Sequence, residues 1–147
     1  MKPDPARVLQ GVAINLALNL GPEVSSAFGK TTVEHAAGLL MVLAIETDRL
    51  ADRLQEENVA VATLLRDARS LVAAPLTGRI DEALAASAPK NIRVSTLQQV
   101  NDRLRAALIE VHTAVESLDG AEAAAMDERI WHELRESAHR RHLDITR

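Results

Sequence analysis

The most informative absences in this sequence are cysteine and aromatic side chains. Cysteine does not occur, which excludes disulfide scaffolds, thiolate zinc sites, iron–sulfur clusters and cysteine nucleophiles. One Phe, one Trp and no Tyr leave almost no material for aromatic cages or for base-stacking surfaces. Functions that depend on sulfur chemistry or on extensive aromatic stacking are therefore excluded.

A strong net charge and a long hydrophobic run are missing as well. The 147 residues carry 17 basic and 21 acidic side chains, and the net charge of −4 gives no general attraction to nucleic acid or anionic lipid. The longest uninterrupted apolar stretch, 39–45, is far shorter than the roughly 18 residues of a membrane span. The first residues also lack the clean apolar segment of a signal peptide. We therefore expect a cytoplasmic protein that binds neither nucleic acid nor a membrane.

Alanine and leucine are what the sequence contains in quantity. Ala (25) and Leu (20) supply 45 residues, whereas the β-branched Val (12) and Ile (7) supply 19. Because Ala and Leu are strong helix formers and β-branched side chains favour strands, this ratio predicts an all-α fold. The length is typical of one domain, and we expect residues 1–147 to form a single helical domain.

The strongest helical signal covers about 31–74. Thr31 and Glu34 have the spacing of a capping box, and no proline follows before Pro75. Three adjacent sets of heptad positions then carry apolar residues at 15 of 18 places, which indicates a helix facing a core. A helix of this length either bends near 56–59 or runs through an elongated bundle.

Four shorter helices are predicted around the long one. They cover 6–20, 79–87, 95–118 and about 121–141, with Ser95 and Gln98 as a second capping signature. The last two helices are separated only by Asp119 and Gly120, so we expect an antiparallel hairpin. The sequence thus predicts an elongated all-α bundle of four to five helices, with one very long helix and a C-terminal antiparallel helix hairpin.

Three polar residues interrupt the apolar stripe of the long helix. They are Thr47, Glu57 and Asn58, which we treat as a candidate polar core site. A buried carboxylate needs a partner and often marks a functional site, whereas polar residues in a helical seam often only fix its register. Alternatively, Glu57 lies at a bend that water reaches. The basic residues considered as its partners are Arg103, Arg105 and Lys90.

Two short motifs invite a catalytic or metal-binding interpretation that the sequence does not support. The segment 29–31 (Gly-Lys-Thr) matches the last residues of a phosphate-binding loop, but Val24 occupies the position of the required first glycine. Glu136 and His139 have the Glu-x-x-His spacing of di-iron bundles, but the pair occurs once and lies beside basic residues. No nucleophile arrangement occurs either. We therefore expect no catalytic residues, no metal and no cofactor, and we predict that the protein is not an enzyme.

Histidine and arginine are concentrated near the end of the sequence. The cluster comprises His132, His139, His142, Arg135, Arg140, Arg141 and Arg147. Basic residues in a last helical turn suit the helix dipole, which is the interpretation we favour. Contact with an anion or an acidic partner, and adventitious metal binding, are the alternatives.

Apolar side chains exceed what one bundle can bury in two places. The helix at 6–20 is apolar on nearly every face, and Leu39, Met41, Val42 and Ile45 lie outside the core stripe of the long helix. A single-chain bundle needs one apolar stripe per helix. We therefore expect these four residues to form an interface in a homo-oligomer, with a dimer favoured.

The function that this pattern favours is that of a non-enzymatic helical interaction or assembly protein. It would self-associate through the first helix and the N-terminal half of the long helix. One alternative is a bundle that binds a small ligand or metal between helices, through Glu57, Asn58 or a histidine. Another is an export-chaperone-like adaptor, whose protein partner contributes an amphipathic helix.

Overall fold

The fold is all-α, as the composition predicted. A computed structural model describes residues 4–142, and these residues form five helices and no strand. Helix α1 (Pro5–Asn15) continues through a π-helical turn (Leu16–Leu20) into a last short turn (Gly21–Glu23). The other helices are α2 (Ala27–Ala68), α3 (Ala74–Ala85), α4 (Val94–Glu116) and α5 (Ala121–Arg141). The very long helix and the C-terminal helix pair are thereby confirmed.

Helix α2 begins earlier than the sequence suggested. The Ser26 hydroxyl accepts a hydrogen bond from the Gly29 amide at 3.0 Å, so Ser26 caps the helix. Thr31 lies inside the first turns, and the capping box predicted at Thr31 and Glu34 is wrong. The helix passes through 56–59 without a break and ends at Ala68 rather than near residue 74.

The starts of α3 and α4 also differ from expectation. Pro75 lies in the first turn of α3, where its missing amide hydrogen costs nothing, so α3 starts at Ala74 rather than at residue 79. Before α4, the Asn91 side chain accepts hydrogen bonds from the Arg93 amide and the Thr96 hydroxyl, both at 3.0 Å. Helix α4 starts at Val94 after Arg93, with no side-chain cap, and Ser95 lies inside its first turn, so the capping signature predicted at Ser95 and Gln98 is wrong.

Residue contacts divide the chain into two compact units. The N-terminal unit contains the described residues 4–50, and the C-terminal unit is Ala51–His142. Helix α2 contributes its first half to one unit and its second half to the other. The expectation of a single domain stays a prediction.

The C-terminal unit is a bundle of four helices around a large apolar core. Contacts of Arg105 with Ser137 and of His112 with Asp127 make α4 and α5 antiparallel, which confirms the predicted hairpin. The second half of α2 and helix α3 complete the bundle. The large side chains that are essentially fully buried in its core include Leu65, Ile80, Leu104, Val111 and Ile130.

The N-terminal unit packs α1 against the first half of α2 through small residues. Its buried apolar residues are Ala13, Ala37 and Ala44, with 2%, 6% and 1% exposure. Gly21 of α1 lies beside Val33 of α2, since a Cβ atom on the glycine would be 3.7 Å from a valine methyl group. The two helices therefore approach closely but enclose no large side chain.

Gly29 is the position where the start of α2 requires glycine. A Cβ atom there would lie 2.5 Å from Val24 Cγ1 and 2.8 Å from the capping Ser26 Oγ. We expect Gly29→Ala to destabilise the protein by about 1 kcal/mol, because the cap or Val24 must move. Thermal unfolding followed by circular dichroism measures the change.

Gly11 of α1 provides the matched control for this substitution. A Cβ atom at Gly11 would meet nothing within 4 Å, so Gly11→Ala should raise the free energy of unfolding by about 0.5–1 kcal/mol. A similar gain for Gly29→Ala would contradict the assignment of Ser26 as the cap of α2.

Candidate functional site

A buried carboxylate, Glu57, lies between α2, α4 and α5 in the C-terminal unit. Its side chain has 0% exposure. Arg141 donates from Nε to Oε1 at 2.9 Å and from Nη2 to Oε2 at 2.7 Å, which makes a bidentate pair. Ser137 donates to Oε1 at 3.1 Å, Asn101 donates to Oε2 at 3.3 Å, and Arg105 Nη1 lies 3.5 Å from Oε2. Both carboxylate oxygens are therefore fully engaged within the chain.

Asn58 joins the same network through Asn101. The Asn58 side-chain oxygen accepts a hydrogen bond from Asn101 at 3.0 Å, and its amide nitrogen donates to the Leu97 carbonyl at 3.1 Å. Asn101 is a member that the sequence analysis missed. It stands one helical turn after Leu97, on the apolar face of the predicted fourth helix, and that position was the available signal.

Thr47, the third residue of the candidate polar core, does not take part. Its side chain is exposed in the N-terminal unit, where its hydroxyl donates to the Leu43 carbonyl at 2.7 Å. The expectation of a buried Thr47 is wrong, because α1 covers only a narrow alanine-lined strip of α2 in that unit.

The charge state of Glu57 follows from its surroundings. Burial raises the pKa of Glu57, but the hydrogen bonds and positive charge of Arg141, the Ser137 hydroxyl and the charge of Arg105 together outweigh it. The pKa therefore lies below the ordinary value of 4.5, and Glu57 is ionised at neutral pH. A saturated, ionised carboxylate offers no lone pair or proton to a substrate. Glu57 instead links α2 to α4 and α5 through hydrogen bonds and ion pairs.

The main partner of Glu57 comes from the basic cluster near the C-terminus. Among the partners considered from sequence, Arg105 contributes, but the bidentate partner is Arg141. Arg140 pairs with Glu133, whose pKa is raised by burial against the opposing charge of that arginine. The cluster residues that are exposed are His132, Arg135, His139, Arg141 and His142, and 45% of the Arg141 side chain is exposed although its guanidinium binds the buried Glu57. Arg147 lies outside the described residues.

A second polar cluster connects α4 to α5 nearer their loop. The Nε2 atom of His112 lies 2.8 Å from Asp127 Oδ1 and 3.7 Å from Glu116 Oε1. The ring of Trp131 meets the His112 ring edge to face, with centroids 5.2 Å apart. This cluster was not predicted from the sequence. The four-residue spacing of His112 and Glu116 was a usable signal, whereas Asp127 is brought in only by the folding of the hairpin.

The N-terminal unit exposes a large amount of apolar side chain. Of the candidate interface residues, Leu39 and Met41 are 65% and 37% exposed, and Val42 and Ile45 are half-buried. Nine large apolar side chains are exposed within residues 4–50, against six within 51–142, although the second range is nearly twice as long. The nine are Val8, Val12, Ile14, Leu18, Leu20, Phe28, Leu39, Met41 and Leu43.

An open groove of about 410 Å³ lies between α1 and α2 in this unit. Its lining includes Ile14 and Leu18 from α1 and Met41 from α2, with Glu34 as the charged residue at its edge. The groove is therefore an apolar surface rather than a site equipped for catalysis.

Helix α2 is also the one helix in the described part of the chain that is long and apolar enough to cross a membrane. Its most apolar window of 18 residues has a mean hydropathy of 1.2, and 11% of that window is buried. This criterion uses length and composition only. The expectation that the protein does not bind a membrane stays a prediction.

Comparison with known proteins adds no relative. No protein-family model matches the chain, no curated protein matches its sequence, and no solved structure matches its fold. Any functional proposal therefore depends on the side chains themselves.

The Glu57–Arg141 pair can be tested by removing the cation. Arg141→Met leaves a buried carboxylate with weaker partners, and we expect a loss of about 3 kcal/mol in the free energy of unfolding. Arg135→Met, at an exposed position on the same helix, should change it by less than about 0.5 kcal/mol. Urea denaturation measures both variants, and equal effects would contradict the structural role of Arg141.

The pH dependence of stability tests the charge of Glu57. Because its pKa is lower in the folded protein than in the unfolded chain, ionised Glu57 stabilises the fold above the unfolded value of 4.5. This contribution disappears as the pH falls through the folded-state pKa. The stability difference between wild type and Glu57→Gln should therefore shrink in acid, below about pH 4. A difference that does not depend on pH would show that Glu57 is not ionised.

Proposed function

We propose that this protein is a non-catalytic helical assembly protein whose copies pair through their N-terminal units. One observation carries the proposal: the apolar residues buried in that unit are three alanines, while nine large apolar side chains stay exposed. Soluble monomers scatter single apolar residues on their surfaces, but a concentration of this kind is typical of an interaction surface.

Simple energetics support a covering partner. An alanine methyl group contributes about 0.8 kcal/mol on burial, so three of them stabilise a helix pair only weakly. Each large, half-exposed side chain would contribute about 1 kcal/mol or more on being covered. The sum over a shared interface is comparable with the roughly 4–15 kcal/mol that association costs. Association would thus bury most of the large apolar side chains that the N-terminal unit leaves exposed on its own.

A second copy is the occupant that suits this surface. Each chain presents the same groove with Ile14, Leu18 and Met41, and two-fold pairing sets identical surfaces against each other. Two helix pairs that meet in this way form a four-helix bundle with a conventional apolar core. Lys30 and Glu34 border the small-residue contact and supply both signs of charge, which a self-complementary surface requires.

Other occupants have less support from the described residues. Hydrocarbon would surround charged side chains such as Lys30 and Glu34, which is costly inside a membrane. A client helix, as in an export-chaperone-like adaptor, would bind in the same groove, but no described feature of the groove favours a client helix over a second copy. Binding of a small ligand at Glu57 or Asn58 would first have to break hydrogen bonds that the chain already makes.

Charges placed in the groove provide the test. We expect the wild type to be a dimer in native mass spectrometry and sedimentation velocity, and Leu18→Glu combined with Met41→Glu to be a monomer. Both positions are exposed within one chain, so the variant should keep its helical circular dichroism. Ile109→Glu, at an exposed apolar position in the C-terminal unit, is the matched control and should remain a dimer.

Two results would overturn the proposal. One is a wild type that is monomeric at micromolar concentration, and the other is a Leu18→Glu/Met41→Glu variant that still dimerises. Co-sedimentation with vesicles of phosphatidylcholine and phosphatidylglycerol distinguishes the membrane alternative. Binding of a monomeric wild type to those vesicles, lost in the variant, would identify lipid as the occupant instead.

A further inference from the structure

The cluster of His112, Glu116 and Asp127 has the composition of a metal site. We propose that these three side chains bind one divalent transition-metal ion, of the Zn²⁺ class, between α4 and α5. Imidazole nitrogen and carboxylate oxygen are the ligands that such ions take in proteins without cysteine. The site lies within the C-terminal unit and is separate from the surface proposed for pairing.

The donor atoms already lie at distances that suit coordination. The three ligand atoms are all within 4.8 Å of one another, and His112 Nε2 is 2.8 Å from Asp127 Oδ1 and 3.7 Å from Glu116 Oε1. Ligands about 2.0–2.2 Å from a tetrahedral zinc ion lie roughly 3.3 Å apart. These two distances lie on either side of this value, and the third pair of ligand atoms lies within 4.8 Å, so side-chain movements of roughly 1–2 Å would bring all three ligands onto one ion.

The scaffold beneath the cluster is rigid. His112 and Glu116 stand on successive turns of α4, and Asp127 projects from α5 across the hairpin. Val111 and Ile130, both fully buried, fix the two helices against the core at this level. Trp131 packs on the His112 ring and limits its rotation. A site supported in this way needs little reorganisation when an ion binds.

The three proposed ligands differ in exposure, so that one side of the site is accessible to water. The side chains of His112, Asp127 and Glu116 are 14%, 35% and 53% exposed, respectively. An ion can therefore enter from the Glu116 side, and water molecules can complete its coordination there. The more buried imidazole and Asp127 would bind the ion from the side facing the protein interior.

The charges of the two carboxylates suit a divalent ion at this position. A protonated imidazole carries one charge against two carboxylates, and its single Nε2 proton reaches Asp127 but not Glu116 at 3.7 Å. Two arginines on the same helices form ion pairs elsewhere, Arg105 with Glu57 and Arg129 with Asp67. A divalent ion on Nε2 would interact with both carboxylates and neutralise them.

Trp131 gives the experiment a built-in reporter. It is the only tryptophan, the chain has no tyrosine, and its ring lies 5.2 Å from that of His112. We expect Co²⁺ to quench the fluorescence of the chelator-treated full chain saturably, at one ion per chain, and Zn²⁺ to reverse the quenching by competition. Isothermal titration calorimetry with Zn²⁺ should give the same stoichiometry.

Matched variants assign the ligands. Asp127→Asn and Glu116→Gln keep the side-chain shape and should each weaken Zn²⁺ binding at least about tenfold, with unchanged circular dichroism. His132→Gln, at an exposed histidine one residue from Trp131, should bind as the wild type does. The Leu18→Glu/Met41→Glu variant should also bind normally, so failure of the pairing proposal would not affect this result.

Three outcomes would overturn the proposal. The first is the absence of saturable quenching together with silent calorimetry. The second is unchanged Zn²⁺ affinity in Asp127→Asn and Glu116→Gln. The third is loss of binding in His132→Gln, which would assign the ion to the exposed histidines of α5 instead.

Discussion

Glu57 carries a negative charge into an interior from which water is excluded, and the neighbouring helices must compensate for it. Helix α5 supplies Ser137 and Arg141, and α4 supplies Asn101 and Arg105. A shift of either helix by one turn would leave the carboxylate buried without its partners, at a cost of several kcal/mol. A hydrophobic core alone tolerates such shifts more easily. The network therefore selects one register for α2, α4 and α5, and the apolar side chains supply the bulk of the stability.

Helix α2 contributes to both units, but it buries large side chains in one and only small side chains in the other. In the C-terminal unit α2 buries Leu54, Val61 and Leu65, whereas in the N-terminal unit it buries Ala37 and Ala44. Since burial free energy scales with apolar area, the N-terminal unit gains far less from its own contacts. Nine of its large apolar side chains are exposed instead. This difference in buried apolar area between the two halves of α2 is the physical reason to expect self-association. It also explains why only 11% of the most apolar window of α2 is buried.

Periodicity predicted what depends on local sequence. The all-α class, the long helix and the hairpin, whose loop contains Gly120 with a φ of +116° directly before α5, all follow from residue type and spacing. For Glu57 the heptad position left two possibilities open, burial in the core or a water-accessible bend, and the structure shows burial in an unbroken helix. Thr47 occupies an equivalent position but is exposed, because burial depends on what packs against the helix. Arg141 is 84 residues from Glu57 in the chain, and no spacing rule connects residues so far apart.

The two carboxylate sites to which α4 and α5 both contribute differ in how far the chain satisfies them. At one level of the helix pair, Glu57 receives hydrogen bonds from three side chains and has a second arginine beside it, so solution conditions near neutrality leave it unchanged. At the other level, Asp127 and Glu116 share one imidazole, which can donate a proton to only one of them. The two helices hold both carboxylates near the one imidazole. Of the two sites, the second is therefore the one where the proposed ion would add interactions that the side chains do not make among themselves.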